Sequence, residues 1–318
     1  MKLTNIVLAL LIFGISFTSV ANALAADKLL LLGTSSAAGV YHPVGEALCK
    51  LINQNRETHL HRCAAQTTGG SVYNIKAIVS GELNIAITKA DLIYKAYNGL
   101  PPFQGDSRNQ GLRFIATLYS EPIAVIIKNN ISEQDFSSLT GKTINIGNKG
   151  SGKRTISDEI FKTMNWGDAN FKKIYELSTS EAAKSFCTGD IDILVEAVGM
   201  PSEFYNLITQ QCDGKFLPLP EKIINHFKNK GPYYSDFIIP PNLYKNNKFP
   251  VKTLSLDVIL ATHSRVSTEA ISLVSGVIIN KNPELRRSHP ALANSDVKFL
   301  KQNEAKVPGH RSVQQSID

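Results

Sequence analysis

The chain has 318 residues, 43% of them hydrophobic and 19% charged, with a formal net charge of +7 at pH 7. A chain of this length and apolar content can bury a large core and ordinarily divides into two domains, yet no low-complexity segment or long linker marks a boundary. Basic runs are few beyond Lys172-Lys173 and Arg286-Arg287, which argues against a nucleic-acid stripe and for solvated surface charge, with an anionic small ligand or acidic partner left open.

At the N-terminus, Lys2 precedes a nearly unbroken apolar run from Ile6 to Val20, and Ala21-Asn22-Ala23 offers a small-x-small cleavage site. This predicts a cleaved secretory signal peptide over residues 1–26, its apolar run being shorter than the roughly 20 residues of a membrane span. In the oxidising compartment that follows, the cysteines Cys49, Cys63, Cys187 and Cys212 are expected to pair. Of the possible connectivities, Cys49–Cys63 with Cys187–Cys212 is the simplest, closing one short loop in each half of the chain. No CxxC-like spacing suggests zinc, and no histidine is placed to make Cys187 a nucleophile.

Lys28 to Gly33 reads as a short buried strand, followed by a small-residue loop from Thr34 to Gly39 and a helix from about Pro43 to Asn53 that carries Val44, Ala47, Leu48, Leu51 and Ile52 on one face. Next come a strand from Leu60 to Gln66, the turn Thr68-Gly69-Gly70-Ser71, a helix from Val72 to Ser80, a strand from Leu83 to Ile87 and a helix opened by Asp91. The second half repeats this order: strand Thr143 to Gly147, helix Lys153 to Met164, strand Lys172 to Leu177, helix Ser180 to Cys187, strand Ile191 to Glu196. A phrase recurs before the third strand of each half, Ser80-Gly81-Glu82-Leu83-Asn84-Ile85-Ala86 and Thr188-Gly189-Asp190-Ile191-Asp192-Ile193-Leu194. Alternating strands and helices predict an α/β fold in two similar lobes with largely parallel sheets.

Gly147 to Arg154 forms a glycine loop between a strand and a helix and misses a phosphate-binding loop by one position, because Arg154 stands where Ser or Thr holds magnesium. Ser151 is placed to cap the helix, leaving amides and the positive end of the dipole for an anion. Three other loops at strand carboxyl ends, Thr34 to Gly39, Thr68 to Ser71 and Thr88 to Asp91, are also rich in small and hydroxyl residues. Ligands of open sheets bind there, so two lobes facing each other with these loops would clamp a small polar molecule.

An ordered set of motifs runs through the chain: Gly33-Thr34-Ser35-Ser36-Ala37-Ala38-Gly39-Val40-Tyr41-His42-Pro43-Val44-Gly45, Thr67-Thr68-Gly69-Gly70-Ser71-Val72-Tyr73-Asn74-Ile75, Thr88-Lys89-Ala90-Asp91, Leu118-Tyr119-Ser120-Glu121-Pro122, the glycine loop, Val198-Gly199-Met200-Pro201-Ser202 and Ile239-Pro240-Pro241-Asn242-Leu243-Tyr244. Over nearly the whole mature chain this resembles the TAXI branch of TRAP-transporter solute-binding proteins. The resemblance implies a periplasmic, two-lobed binding protein of the type II (Venus-flytrap) fold, with lobe 1 formed by residues 27–122 and 255–318 and lobe 2 by residues 123–254. It also implies a small carboxylate ligand, such as glutamate or 2-oxoglutarate, delivered to a TRAP-type membrane permease by a monomer that needs no cofactor, metal, nucleic acid or catalysis.

Loops and resemblance together give an expected ligand set of Thr34, Ser35, Tyr41, Ser71, Asn74, Lys89, Asp91, Glu121, Ser151, Gly152 and Lys153. This chain departs from the family at Ser35 to Ala38, where glycines and a threonine are usual, and at Lys89-Ala90, where Gln-Ser is usual. Lys149 and Lys153 replace the usual Pro and Thr. Lys89 either meets the ligand or pairs with Asp91 or Glu121, and Asn74 reaches either the ligand or a neighbouring loop backbone. Two alternatives remain: a secreted enzyme using the glycine loop for a phosphate, with Lys153 as its lysine, and a sensor docking on a membrane receptor.

Overall fold

The computed structural model describes residues 28–54, 56–105, 109–131, 136–293 and 306–314, so the expected signal peptide and its cleavage site lie outside the described residues. Among the described residues, no helix is long and apolar enough to cross a membrane. The elements in chain order begin with β1 (Lys28–Gly33), α1 (Tyr41–Asn53), α2 (Arg56–His59), β2 (His61–Gln66), α3 (Ser71–Ser80), β3 (Ile85–Lys89) and α4 (Ala90–Asn98). A long strand β4 (Leu112–Lys128) leads to β5 (Thr143–Asn145), α5 (Gly152–Met164), β6 (Lys173–Tyr175), α6 (Thr179–Thr188), β7 (Ile193–Ala197), α7 (Glu203–Gln210), β8 (Gly214–Leu217), α8 (Glu221–Lys228) and β9 (Tyr234–Ile239). A second long strand, β10 (Val251–His263), then precedes α9 (Thr268–Asn280) and α10 (Asn282–Arg287).

Every strand and helix expected from the alternation is present, with ends shifted by up to two residues, as is normal where termini fray. Gly81 and Gly189 end α3 and α6 in left-handed conformation, with φ of 88° and 89°, so the repeated phrase of the two halves encodes one helix-stop and strand-start unit. The short helix α2 and the strands β4, β8, β9 and β10 are not among the elements expected from the alternation.

The sheet runs in the order β2-β1-β3-β10-β4-β7-β5-β6, with β8 on β4 and β9 on β10. Its outer strands pair in parallel, β1 with β2 and β3, and β5 with β6 and β7. All antiparallel pairings involve β4 or β10. The first part of β4 pairs with β10 and bridges at Phe114 to Gly309, whereas Ile123 to Ile127 pair with β7 and Val125 to Lys128 with β8. In the same way, Val258 to Thr262 of β10 pair with β3, and Val251 to Leu256 with β9. The two strands are thus shared by two half-sheets whose partners change at Glu121-Pro122 and Leu256-Val258.

Two apolar clusters fill the space between sheet and helices, one around Leu32, Val44, Leu48, Phe186, Tyr205 and Ile271, the other around Ile75, Ile87's neighbour Ala86, Phe103, Ile127, Ile156 and Phe227. Cys49 and Cys63 are bonded between α1 and β2, and Cys187 and Cys212 between α6 and the turn after α7. Both pairs match the simplest connectivity. The bridges close loops of 14 and 25 residues in sequence separation. Replacing either pair by serines is therefore expected to cost about 2–4 kcal/mol, with the larger loss for Cys187–Cys212 because its loop is longer, as read by urea unfolding of each variant.

Candidate functional site

Four helices begin at one place, on the carboxyl side of the parallel strands. Val40 and Tyr41 open α1, Gly70 and Ser71 open α3, Ser151, Gly152 and Lys153 open α5, and Ser178 and Thr179 open α6, and all of them line one cavity of about 60 Å³. Each helix start directs the positive end of its dipole at that space. Such a cavity holds a compact ligand, since one water needs on the order of 10–15 Å³.

The glycine loop is built to leave amides free. Gly147 and Gly150 adopt φ of 91° and 85°, which favour glycine, and a Cβ on Gly147 would lie 2.6 Å from Lys153 Cγ. Ser151 caps α5 as expected: its Oγ accepts from Arg154 N at 3.2 Å and donates to the Asn148 carbonyl at 2.7 Å. Gly152 packs so closely that a Cβ would stand 2.6 Å from Lys89 Cε and 3.0 Å from Ser71 Oγ.

The same loop touches the opposite half-sheet. Val72 N and Tyr73 N, in the first turn of α3, both donate to the Gly150 carbonyl, at 3.0 and 3.1 Å. Asn148 Nδ2 donates to the Gly69 carbonyl at 3.1 Å. Hydrogen bonds therefore join the two sides of the cavity, and two of them satisfy first-turn donors of α3 that would otherwise be orphaned.

Its side-chain charges cancel. Lys89 Nζ donates to Glu121 Oε2, each residue 3% exposed, and Tyr119 Oη donates to Glu121 Oε1 at 3.3 Å. Lys153 Nζ donates to Glu196 Oε1 at 2.6 Å and to Thr179 Oγ1 at 3.0 Å, while Thr179 Oγ1 donates to Glu196 Oε2 at 3.1 Å. Burial pushes the Glu121 carboxyl above its ordinary 4.5 despite Lys89, and Glu196 nearby pushes it the same way. Burial also pulls the Lys153 ammonium below its ordinary 10.5, with Glu196 opposing. Tyr41, whose hydroxyl is 3.2 Å from Ser71 Oγ, is held far above the usual tyrosine range by burial and then by Glu121.

Of the expected ligand set, Ser35, Tyr41, Ser71, Lys89, Glu121, Ser151, Gly152 and Lys153 line this cavity, and Thr34, Asn74 and Asp91 do not. Asn74 is fully used within its own half: Nδ2 donates to the carbonyls of Thr34 and Ile87 at 2.7 and 2.8 Å, and Oδ1 accepts from Thr68 at 2.6 Å. Thr34 donates to the Gln66 carbonyl at 2.7 Å. Asp91 lies behind the cavity, accepting from Lys95 at 3.0 Å and from Tyr234 of β9 at 2.8 Å. Lys149 is 84% exposed and lies near Glu176, and Arg154 turns outward to Asp158 and Glu176.

Glu196 and the Ser178-Thr179 pair escaped the sequence-based expectation. Glu196 stands out only as the second of two acids, after Asp192, in the otherwise apolar run Ile191 to Val198, and Ser178 heads a capping box with Glu181 after a strand, the same signal as the other loops. A wider groove of about 680 Å³ lies beside the cavity, between Ala37 to Pro43 and α6 and α7. It offers no buried charge, since Glu203 is exposed and His289 half-buried. Among the described residues no group of three or more His, Cys, Asp or Glu could hold a metal.

The model of the NMT1-like family matches residues 32–314, and the chain belongs to that family. Among solved structures it is similar to a binding-protein component of an ABC phosphonate transporter from Pseudomonas aeruginosa, at 12% identity and a TM-score of 0.57 over 84% of this chain and 79% of that one. It is similar also to a protein of Bordetella bronchiseptica RB50, at 10% identity and a TM-score of 0.54 over 84% of this chain and 78% of that one. The fold is that of the type II periplasmic binding proteins, a mixed α/β architecture of two lobes.

Two outcomes follow from the buried pairs. Lys153→Met leaves Glu196 buried without its cation and is expected to cost about 3–5 kcal/mol in urea unfolding, with much of the loss recovered in Lys153→Met/Glu196→Gln. Because the Glu121 value is raised in the folded state, the stability it contributes is complete below the ordinary 4.5 and is lost as pH rises through the folded value. The stability of the wild type minus that of Glu121→Gln is therefore expected to fall as pH increases above about 4.5, measured by denaturant melts across pH.

Proposed function

We propose that this member of the NMT1-like family is an extracytoplasmic solute-binding protein that closes two lobes around a small carboxylate-bearing solute and hands it to a membrane permease. The observation that carries the reading is the convergence of four helix N-termini on one small cavity whose two lysines are each paired with a buried glutamate. With the lysines neutralised by glutamates, the field left over is that of helix dipoles and free amides, which favours a single small anionic group. Phosphate of a nucleotide is the poorer fit, because the cavity is small and Lys153, the lysine a phosphate loop would offer, is held by Glu196 and Thr179.

The lobe division we infer puts residues 27–122 and 255–318 in lobe 1 and residues 123–254 in lobe 2, joined where β4 and β10 exchange partners. Opening then breaks the bonds of Gly150 and Asn148 to α3 and its turn, and a bound solute favours the closed form by touching both sides at once. The two disulfides, each within one lobe, suit a protein exported by a cleaved signal peptide into the periplasm. A TRAP-type permease is the partner in this reading, on the strength of the ordered motifs described above. An ABC permease is the competing partner, since the Pseudomonas aeruginosa protein of similar fold is described as serving one.

Isothermal titration of the mature protein with a panel of amino acids and mono- and dicarboxylates is expected to give at least one saturable ligand. Gly152→Val should abolish that binding by driving a side chain into Lys89 and Ser71 while leaving the far-ultraviolet spectrum unchanged. If no member of the panel binds, the carboxylate reading fails.

A further inference from the structure

We propose that the carboxylate is the head of a longer solute, whose apolar chain leaves the cavity and lies in the groove beside it; this rests on the carboxylate reading above. The cavity of about 60 Å³ takes only about four to six water-sized atoms, room for a carboxylate and its nearest carbons. A ligand of so few atoms binds weakly, because the free energy available to a small molecule grows with its atom count. The groove, at about 680 Å³, is far larger. Gly39 and Val40 line both spaces, and α6 runs from one to the other, with Ser178 and Thr179 at the cavity and Ser180 and Ala183 in the groove. Cavity and groove therefore adjoin between the start of α1 and the start of α6.

The chemistry of the groove selects the chain. Ala37, Val40 and Pro43 face it from the first loop and α1, and Ala183, Phe204 and Leu207 from α6 and α7. Its lining has two ionisable side chains, Glu203, which is exposed, and His289, which is half-buried. Burial holds the His289 imidazole below its ordinary 6.5, with Glu203 opposing, so the groove presents no cation at neutral pH. A second carboxylate there would meet only Glu203. An apolar chain instead leaves water and touches both walls, and each buried methylene strengthens binding about fourfold. The pairs Lys89–Glu121 and Lys153–Glu196 stay intact in this arrangement, because the head meets the helix starts and the chain meets no charge.

The test titrates the mature protein calorimetrically with two series of acids, n-alkanoates from propanoate to octanoate and 2-oxoalkanoates from pyruvate to 2-oxooctanoate, beside the carboxylate panel. In at least one series, affinity is expected to rise about fourfold per added methylene once the chain clears the cavity. Asn206→Trp fills the groove from a half-buried position outside both apolar clusters, and Leu207→Gln makes one wall polar at similar length. Each is expected to remove most of the rise while leaving the shortest binding acid within about twofold of its wild-type affinity. A panel member that binds while neither series gains with chain length overturns the inference and spares the carboxylate reading. A gain with length that the folded variants leave intact puts the chain outside the groove and overturns it as well. No binding by the panel or by either series removes the carboxylate reading, and this inference with it. Should Leu207→Gln fail to fold, Asn206→Trp decides alone.

Discussion

Strands β4 and β10 pair from Leu112 to Pro122 against Ser255 to His263 and then part to different neighbours, and much of the rest is positioned by that pair. Each is long enough to belong to both half-sheets, so the cavity is fixed at the level where their partners change. Pro122 sits opposite Ser255 at that level and offers no N–H to the ladder, which weakens the pairing where two sheets must part company. Thr253 of β10 compensates by donating its hydroxyl to the Ile123 carbonyl, so the crossing stays defined on the other side of the proline. Glu121, the residue before Pro122, is thereby held at the floor of the cavity, where one lysine from β3 reaches it and the Glu196 carboxylate of β7 lies close enough to raise its pKa.

Burying two lysines is costly, and the structure meets that cost locally. Each is paired with a glutamate from its own side of the cavity, and Thr179 ties the second pair to the start of α6. Such pairs contribute little to stability against an apolar replacement, yet breaking one leaves a buried charge, so they fix geometry more than they add strength. The cavity inherits that fixity.

The alternation of short strands and helices was legible because α3, α4 and α6 end on left-handed glycines and α3, α5 and α6 begin on small residues, both local signals. The glycine loop, its Ser151 cap and the loops around it were legible for the same reason. What escaped was long-range. The partner of Lys153 lies 43 residues away on β7, and that of Lys89 lies 32 away on β4. No local pattern chooses Glu121 over Asp91 for Lys89. Asp91 looked equally placed on the chain, but the first turn of α4 carries it toward Lys95 and Tyr234. Asn74 was an even choice between ligand and backbone, and the crowding of three loops around it decided for backbone.

The Gly150 carbonyl, shared by Val72 and Tyr73, carries a consequence for energetics. In an open molecule those two N–H groups and that oxygen would be hydrated, and in the closed one they satisfy each other. Exchanging water for a backbone partner of similar quality changes the free energy by only about 1 kcal/mol per bond. In the lobe reading proposed above, these bonds therefore weigh little in the balance between open and closed shapes, and a solute that touches both sides supplies the preference for closure.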